Sequence, residues 1–125
     1  MRDKNRVVKV LFQKMLEYCN DIEESMNQVK ATYEVYLSNK MFRYSCDMCV
    51  LQIGELTTRF SDEFKAQHSE IPWHAIKAVR NIYVHEYEKI DSERIWKILT
   101  KNIPELKAQL EKILAEGEDN GNSDA

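Results

Sequence analysis

Glycine and proline are scarce, three and two among 125 residues, and no stretch alternates β-branched and polar residues at a period of two. Strands joined by tight turns are therefore not expected, and the fold class is all-α. No window approaches eighteen consecutive apolar residues, so no segment is expected to span a membrane. Cysteine is limited to three residues, an odd number that does not make a disulfide framework. The opening Met1-Arg2-Asp3-Lys4-Asn5-Arg6 lacks the apolar core of a signal segment, so a cytoplasmic, reducing location with free thiols is expected. Walker loops, G-x-G-x-x-G and G-x-S-x-G are absent, which leaves nucleotide cradles and serine-hydrolase elbows without support. His68, His74 and His85 show no H-x-x-x-H or E-x-x-H spacing, so neither a metal site nor a cofactor is expected.

The length suits one domain with its own core. Eighteen basic and 21 acidic side chains give a net charge of −3, unlike a strongly basic nucleic-acid coat. The distribution is uneven. Between Pro72 and Lys101 six basic residues outnumber four acidic ones, whereas from Pro104 onward two basic residues face six acidic ones. The middle of the chain is the place to meet an anion.

Apolar spacing divides the chain into helices. Val8, Leu11, Met15, Tyr18, Ile22 and Val29 mark one face of a long first helix. A short helical turn over 31–37 is followed by Ser38-Asn39, a cap for a second long helix reaching about Gln67. That helix carries one stripe of Cys49, Ile53, Leu56 and Phe60 and another of Tyr44, Met48 and Leu51, which predicts a central position. Pro72 suits the first turn of a third helix with Ile76, Val79 and Tyr83 inward. Asp91 caps a fourth, with Ile90 and Ile95 as a hydrophobic staple, and Pro104 opens a fifth. After Leu114 the sequence decays into AEGEDNGNSDA. The expected organisation is one helical bundle over 1–115 and a disordered acidic tail over 116–125.

Cys46-Asp47-Met48-Cys49 is a C-x-x-C in mid-helix with no second ligand pair, and it is read as core packing. Gly54 predicts a close helix approach, and Glu55 beside it reads as a solvated or capped carboxylate. The remaining constellation is Arg80-Asn81-Ile82-Tyr83-Val84-His85-Glu86-Tyr87. At about 100° per residue, Arg80 and His85 lie roughly 140° apart around a helix. They converge only if the helix ends near His85 or if a second copy completes the site. Histidine can exchange a proton with a ribose 2′-hydroxyl or a leaving 5′-oxygen, and arginine can hold the added charge of a pentacoordinate phosphorus. Together they form a minimal metal-independent apparatus for cutting RNA.

Arg80, His85 and Tyr87 form an R-x4-H-x-Y motif that resembles the signature of HEPN-domain ribonuclease toxins of the HepT type. Further landmarks agree: Ile53-Gly54-Glu55, Ile71-Pro72-Trp73, Ile90-Asp91 and Ile103-Pro104-Glu105-Leu106. The resemblance covers about Leu16 to Leu114. It implies a four- to five-helix HEPN bundle that forms a homodimer, with Arg80 and His85 catalytic toward an RNA substrate and Asn81 and Glu55 supporting them. It further implies a cognate MntA-like nucleotidyltransferase antitoxin that transfers AMP to Tyr87. The alternative for the same residues is a non-catalytic helical module that only binds the nucleotidyltransferase. Tyr83 and Glu88 depart from the family pattern. Glu86 and Glu88 would repel phosphate, so RNA affinity is expected to draw on Lys77, Lys89 and Arg94.

Overall fold

The computed structural model describes the backbone of residues 2–123 and the side-chain surroundings of residues 6–117. Among them are seven α-helices and no strand: α1 (Arg2–Gln28), α2 (Tyr33–Ser38), α3 (Lys40–Thr57), α4 (Asp62–Gln67), α5 (Trp73–His85), α6 (Ser92–Lys97) and α7 (Ile103–Ser123). The four long helices, α1, α3, α5 and α7, are the bundle, and the short ones are its corners. The expected tail over 116–125 falls largely outside the described side chains, and its last two residues lie outside the described backbone.

α1 lies against α3 and α7, and α3 lies between α1 and α5. The expected stripe on α1 is inward: Leu11, Met15 and Ile22 are buried, joined by Phe12 and Cys19. α3 is central, as its apolar content predicts, through Phe42, Cys46, Val50, Ile53 and Leu56. The second stripe behaves otherwise, because Tyr44 and Met48, with Met41 before them, are exposed. Among the described residues, no element covers Met41, Tyr44 and Met48.

The caps follow from short polar side chains at helix starts. Asn39 accepts from the Phe42 amide at 3.0 Å, Ser61 from the Phe64 amide at 3.1 Å, and Asp91 from the Glu93 amide at 3.1 Å. The Ser61 cap also marks a departure from expectation: the second long helix does not continue to Gln67 but stops at Thr57. Thr57 and Thr58 donate their hydroxyls back to the carbonyls of Gly54 and Glu55 at 2.6 and 2.7 Å. Such back-bonding competes with the helical ladder and ends it. The short α4 then tucks Phe64 against Phe12 and Phe60, with ring centroids 5.5 and 5.4 Å away. His68 is half-buried on the same cluster, 4.6 Å from the Phe64 ring.

Between α6 and α7 the backbone makes one wide π turn, Ile98–Asn102, rather than a loop. Pro104 explains it: in a regular helix its ring would collide with the carbonyl of Thr100 and its missing N–H would leave that carbonyl unpaired. All three thiols are free. Cys19 and Cys46 are buried in the core, and burial pushes both up to about 12 and Cys49 to about 11.

Candidate active site

Helix α5 carries the site because its two faces do different work. Val79 and Tyr83 turn into the core, and the next position round, Arg80, lies over α3 where Gly54 leaves room. A β-carbon on Gly54 would sit 2.5 Å from Cβ and 2.9 Å from Cγ of Arg80. The aliphatic stem of the arginine thus occupies the space of a missing side chain. Gly54→Ala should force the two helices apart and lower stability by about 1–3 kcal/mol, as overpacking does. An unchanged urea midpoint would show that the contact relaxes freely.

Held in this way, Arg80 donates from Nε to Glu55 Oε1 at 2.6 Å and from a terminal nitrogen to Asn81 Oδ1 at 3.1 Å. Glu55 is therefore not merely solvated: it braces the guanidinium in one orientation, with part of its donor set left for a ligand. The pair is about one third exposed, 26% for Arg80 and 40% for Glu55, so its value lies in geometry rather than in stability. Of the residues expected to act together, the fold unites Arg80, Asn81 and Glu55.

His85 is the last residue of α5. It is exposed and makes no side-chain hydrogen bond among the described residues. The helix ends where the angular separation requires an end, but His85 still belongs to its last turn and does not join Arg80 within one chain. Lys77, Lys89 and Arg94 are all exposed.

After His85 the backbone enters a 3₁₀ turn, Tyr87–Lys89, and Tyr87 reaches back to α3. Its hydroxyl donates to Asp47 Oδ2 at 3.0 Å. The other oxygen of the same carboxylate accepts from Tyr83 at 3.0 Å and from Tyr36 at 3.2 Å. Asp47 is buried, with 7% of its surface exposed, and burial raises its pKa against the lowering effect of the three hydroxyls. In return the loss of water, and after it the buried carboxylate, push the Tyr36 and Tyr83 phenols well above their ordinary range. Sequence reasoning passed over Asp47 by treating the C-x-x-C as a unit. The available signal was a lone carboxylate in the apolar run Cys46 to Ile53, since aspartate is seldom buried without partners.

Among the described residues no group of three or more His, Cys, Asp or Glu side chains is placed to hold a metal ion, and no helix is long and apolar enough to cross a membrane.

Comparisons with known proteins identify the family. The family model described as "Ribonuclease HepT-like" matches residues 15–113, a span that contains every residue of the site. "Putative RNase MJ1380" of Methanocaldococcus jannaschii is 31% identical over 106 residues, covering 85% of this chain and 95% of its own. "Probable ribonuclease HepT" of Thermococcus cleftensis is 28% identical over 102 residues, covering 78% and 93%. No solved structure matches the chain at a significant level. With a family match across most of its length and a HEPN-type all-α bundle beneath it, the chain belongs to the HepT-like ribonuclease family.

Proposed function

We propose that the protein is the toxin of a type VII HEPN/MNT toxin–antitoxin system, a metal-independent endoribonuclease that acts as a homodimer. The observation that carries this reading is the braced Arg80, fixed by Glu55 and Asn81 five residues before an exposed His85. The guanidinium is pre-oriented for phosphate oxygens and needs no rearrangement when charge builds up on phosphorus. His85 supplies the proton exchange. Attack of the ribose 2′-oxygen on phosphorus breaks the P–O5′ bond, with one imidazole taking the 2′ proton and another giving a proton to the leaving oxygen.

Two imidazoles require two chains, and the surface of α3 fits that requirement. Met41, Tyr44 and Met48 are exposed at 76%, 48% and 54%, and with Glu55 they fall within an arc of about 60° on α3. A second copy seated on this stripe would lie beside Glu55 and Arg80 and bring its own His85 toward them. Met48→Glu should therefore convert a dimer to a monomer in sedimentation equilibrium and reduce cleavage in parallel. A monomeric wild-type protein that still cuts RNA would sink the two-chain site.

In this reading a cognate MntA-like nucleotidyltransferase neutralises the toxin by transferring AMP to Tyr87, which is 45% exposed and lies two residues beyond His85. The test of the activity itself is incubation of the purified protein, free of its antitoxin, with total RNA in EDTA. Fragments ending in a 2′,3′-cyclic phosphate and a 5′-hydroxyl are expected. No cleavage of any RNA would favour a binding module over an enzyme.

A further inference from the structure

Asp47 is tied to the one exposed tyrosine of the site by a direct hydrogen bond, and its position in the fold gives it more to do than packing. Four chain segments meet at this carboxylate: α2 through Tyr36, α3 through Asp47 itself, α5 through Tyr83 and the following turn through Tyr87. The two deeply buried tyrosines share Oδ1, and Oδ2 is given to Tyr87 alone. Tyr36 and Tyr83 are 1% and 6% exposed, while Tyr87 is 45% exposed. The carboxylate is thus immobilised from the inside, with one oxygen aimed at the hydroxyl of a half-exposed tyrosine.

We propose that Asp47 is the catalytic base of Tyr87 modification, so that the acceptor chain brings its own proton acceptor to the nucleotidyl transfer. The inference rests on the reading of Tyr87 as the AMP acceptor. Tyr87 Oη attacks the α-phosphorus of a nucleoside triphosphate, the new O–P bond forms and the P–O bond to pyrophosphate breaks. The phenolic proton passes to Asp47 Oδ2 along the existing 3.0 Å hydrogen bond. A carboxylate that receives the proton of an attacking hydroxyl has the same task in protein kinases.

The product state is also accommodated. Esterified Tyr87 has no proton to donate, and an ionised Asp47 would face the phosphodiester anion across a short distance. Once protonated, Asp47 donates to the ester oxygen, and one negative charge is removed from the buried pocket. Burial favours that neutral form, while Tyr36 and Tyr83 keep the other oxygen in place. An ordinary exposed aspartate would return its proton to water and restore the repulsion.

The test uses Asp47→Asn, which keeps the size of the side chain and one oxygen for Tyr36 and Tyr83, with an amide placed against the Tyr87 oxygen. The full-length protein is incubated with MgATP and its cognate nucleotidyltransferase, and mass additions in units of AMP are followed by intact-mass spectrometry. Wild-type protein should gain AMP and Tyr87→Phe should not. Asp47→Asn should gain it about 100-fold or more slowly, the lower end of general-base contributions, through kcat rather than KM. Modification of Asp47→Asn at the wild-type rate overturns the role of Asp47 while leaving the Tyr87 reading intact. No addition to wild-type protein, or addition that survives Tyr87→Phe, overturns the Tyr87 reading and the base with it. If circular dichroism shows Asp47→Asn unfolded, Asp47→Glu takes its place, since it keeps a carboxylate but displaces it by one methylene. A folded Asp47→Glu protein modified at the wild-type rate then counts against the base, and a loss of more than about tenfold supports it.

Discussion

His85→Ala should cut RNA about two to four orders of magnitude more slowly than the wild-type protein, the usual cost of losing a general acid or base, and should unfold at the same urea concentration. The two halves of this expectation have one source. His85 ends α5 exposed and without a side-chain partner among the described residues, so removing it disturbs no packing, and surface changes of this type stay within about 0.5 kcal/mol. Arg80→Ala should slow cleavage by about 10²–10³, the typical loss for a donor that meets developing charge. Glu55, relieved of its partner, would then face the phosphate and push the effect toward the upper end. Arg80→Lys should not restore activity, since an ammonium cannot hold Glu55, Asn81 and a phosphate in one planar arrangement. Single-turnover cleavage of a labelled RNA measures all three variants. A His85→Ala protein that cuts at the wild-type rate would remove histidine chemistry from the account.

Asp47→Ala is the substitution expected to cost most stability. It strands the hydroxyls of Tyr36 and Tyr83, both buried, and each buried unpaired donor costs about 1–3 kcal/mol. A loss of about 2–6 kcal/mol follows for the two, a large part of the 5–15 kcal/mol or so that an ordinary domain possesses. Urea denaturation gives the number, and a loss below about 1 kcal/mol would mean that water reaches the hydroxyls. The pH dependence has an unusual sign for an aspartate. Because burial raises the folded-state pKa of Asp47, the folded protein binds the proton more tightly than the unfolded chain. The contribution of this group is therefore present below the unfolded value, about 3.9, and is lost as pH rises through the folded one. Tyr36 and Tyr83 act in the same direction at alkaline pH, where their raised pKa values make folding oppose ionisation above about 10. Phenolate absorbance should show these two tyrosines ionising only when the protein unfolds.

The bundle was legible wherever one residue type in a fixed rhythm decides the outcome. Leu11, Met15 and Ile22 repeat along α1 and are buried; Asn39 and Asp91 stand before apolar runs and cap helices; Gly54 predicts a close approach and meets Arg80. Legibility failed where particular side-chain hydrogen bonds, near or distant, decide. The end of α3 depends on two threonine hydroxyls turning back onto the ladder, and the same residues could have continued a helix. Asp47 meets tyrosines 11, 36 and 40 positions away, a convergence with no local period. The exposed stripe of Met41, Tyr44 and Met48 looks like core in one dimension, because the hydrophobic pattern alone does not say whether its own chain covers it.

The three thiols offer a clock for the molecule. Cys19 on α1 and Cys46 on α3 are both buried in the core of the bundle, with thiols pushed up to about 12. Neither can react at neutral pH while the helices stay together, since the thiolate is the reactive form. Alkylation at these two positions therefore reports openings of the core around α1 and α3. Half-buried Cys49, at about 11, should be labelled through smaller local openings. The difference between the rates separates fraying of one helix face from loss of the whole bundle, and it does so in the native chain without an added probe.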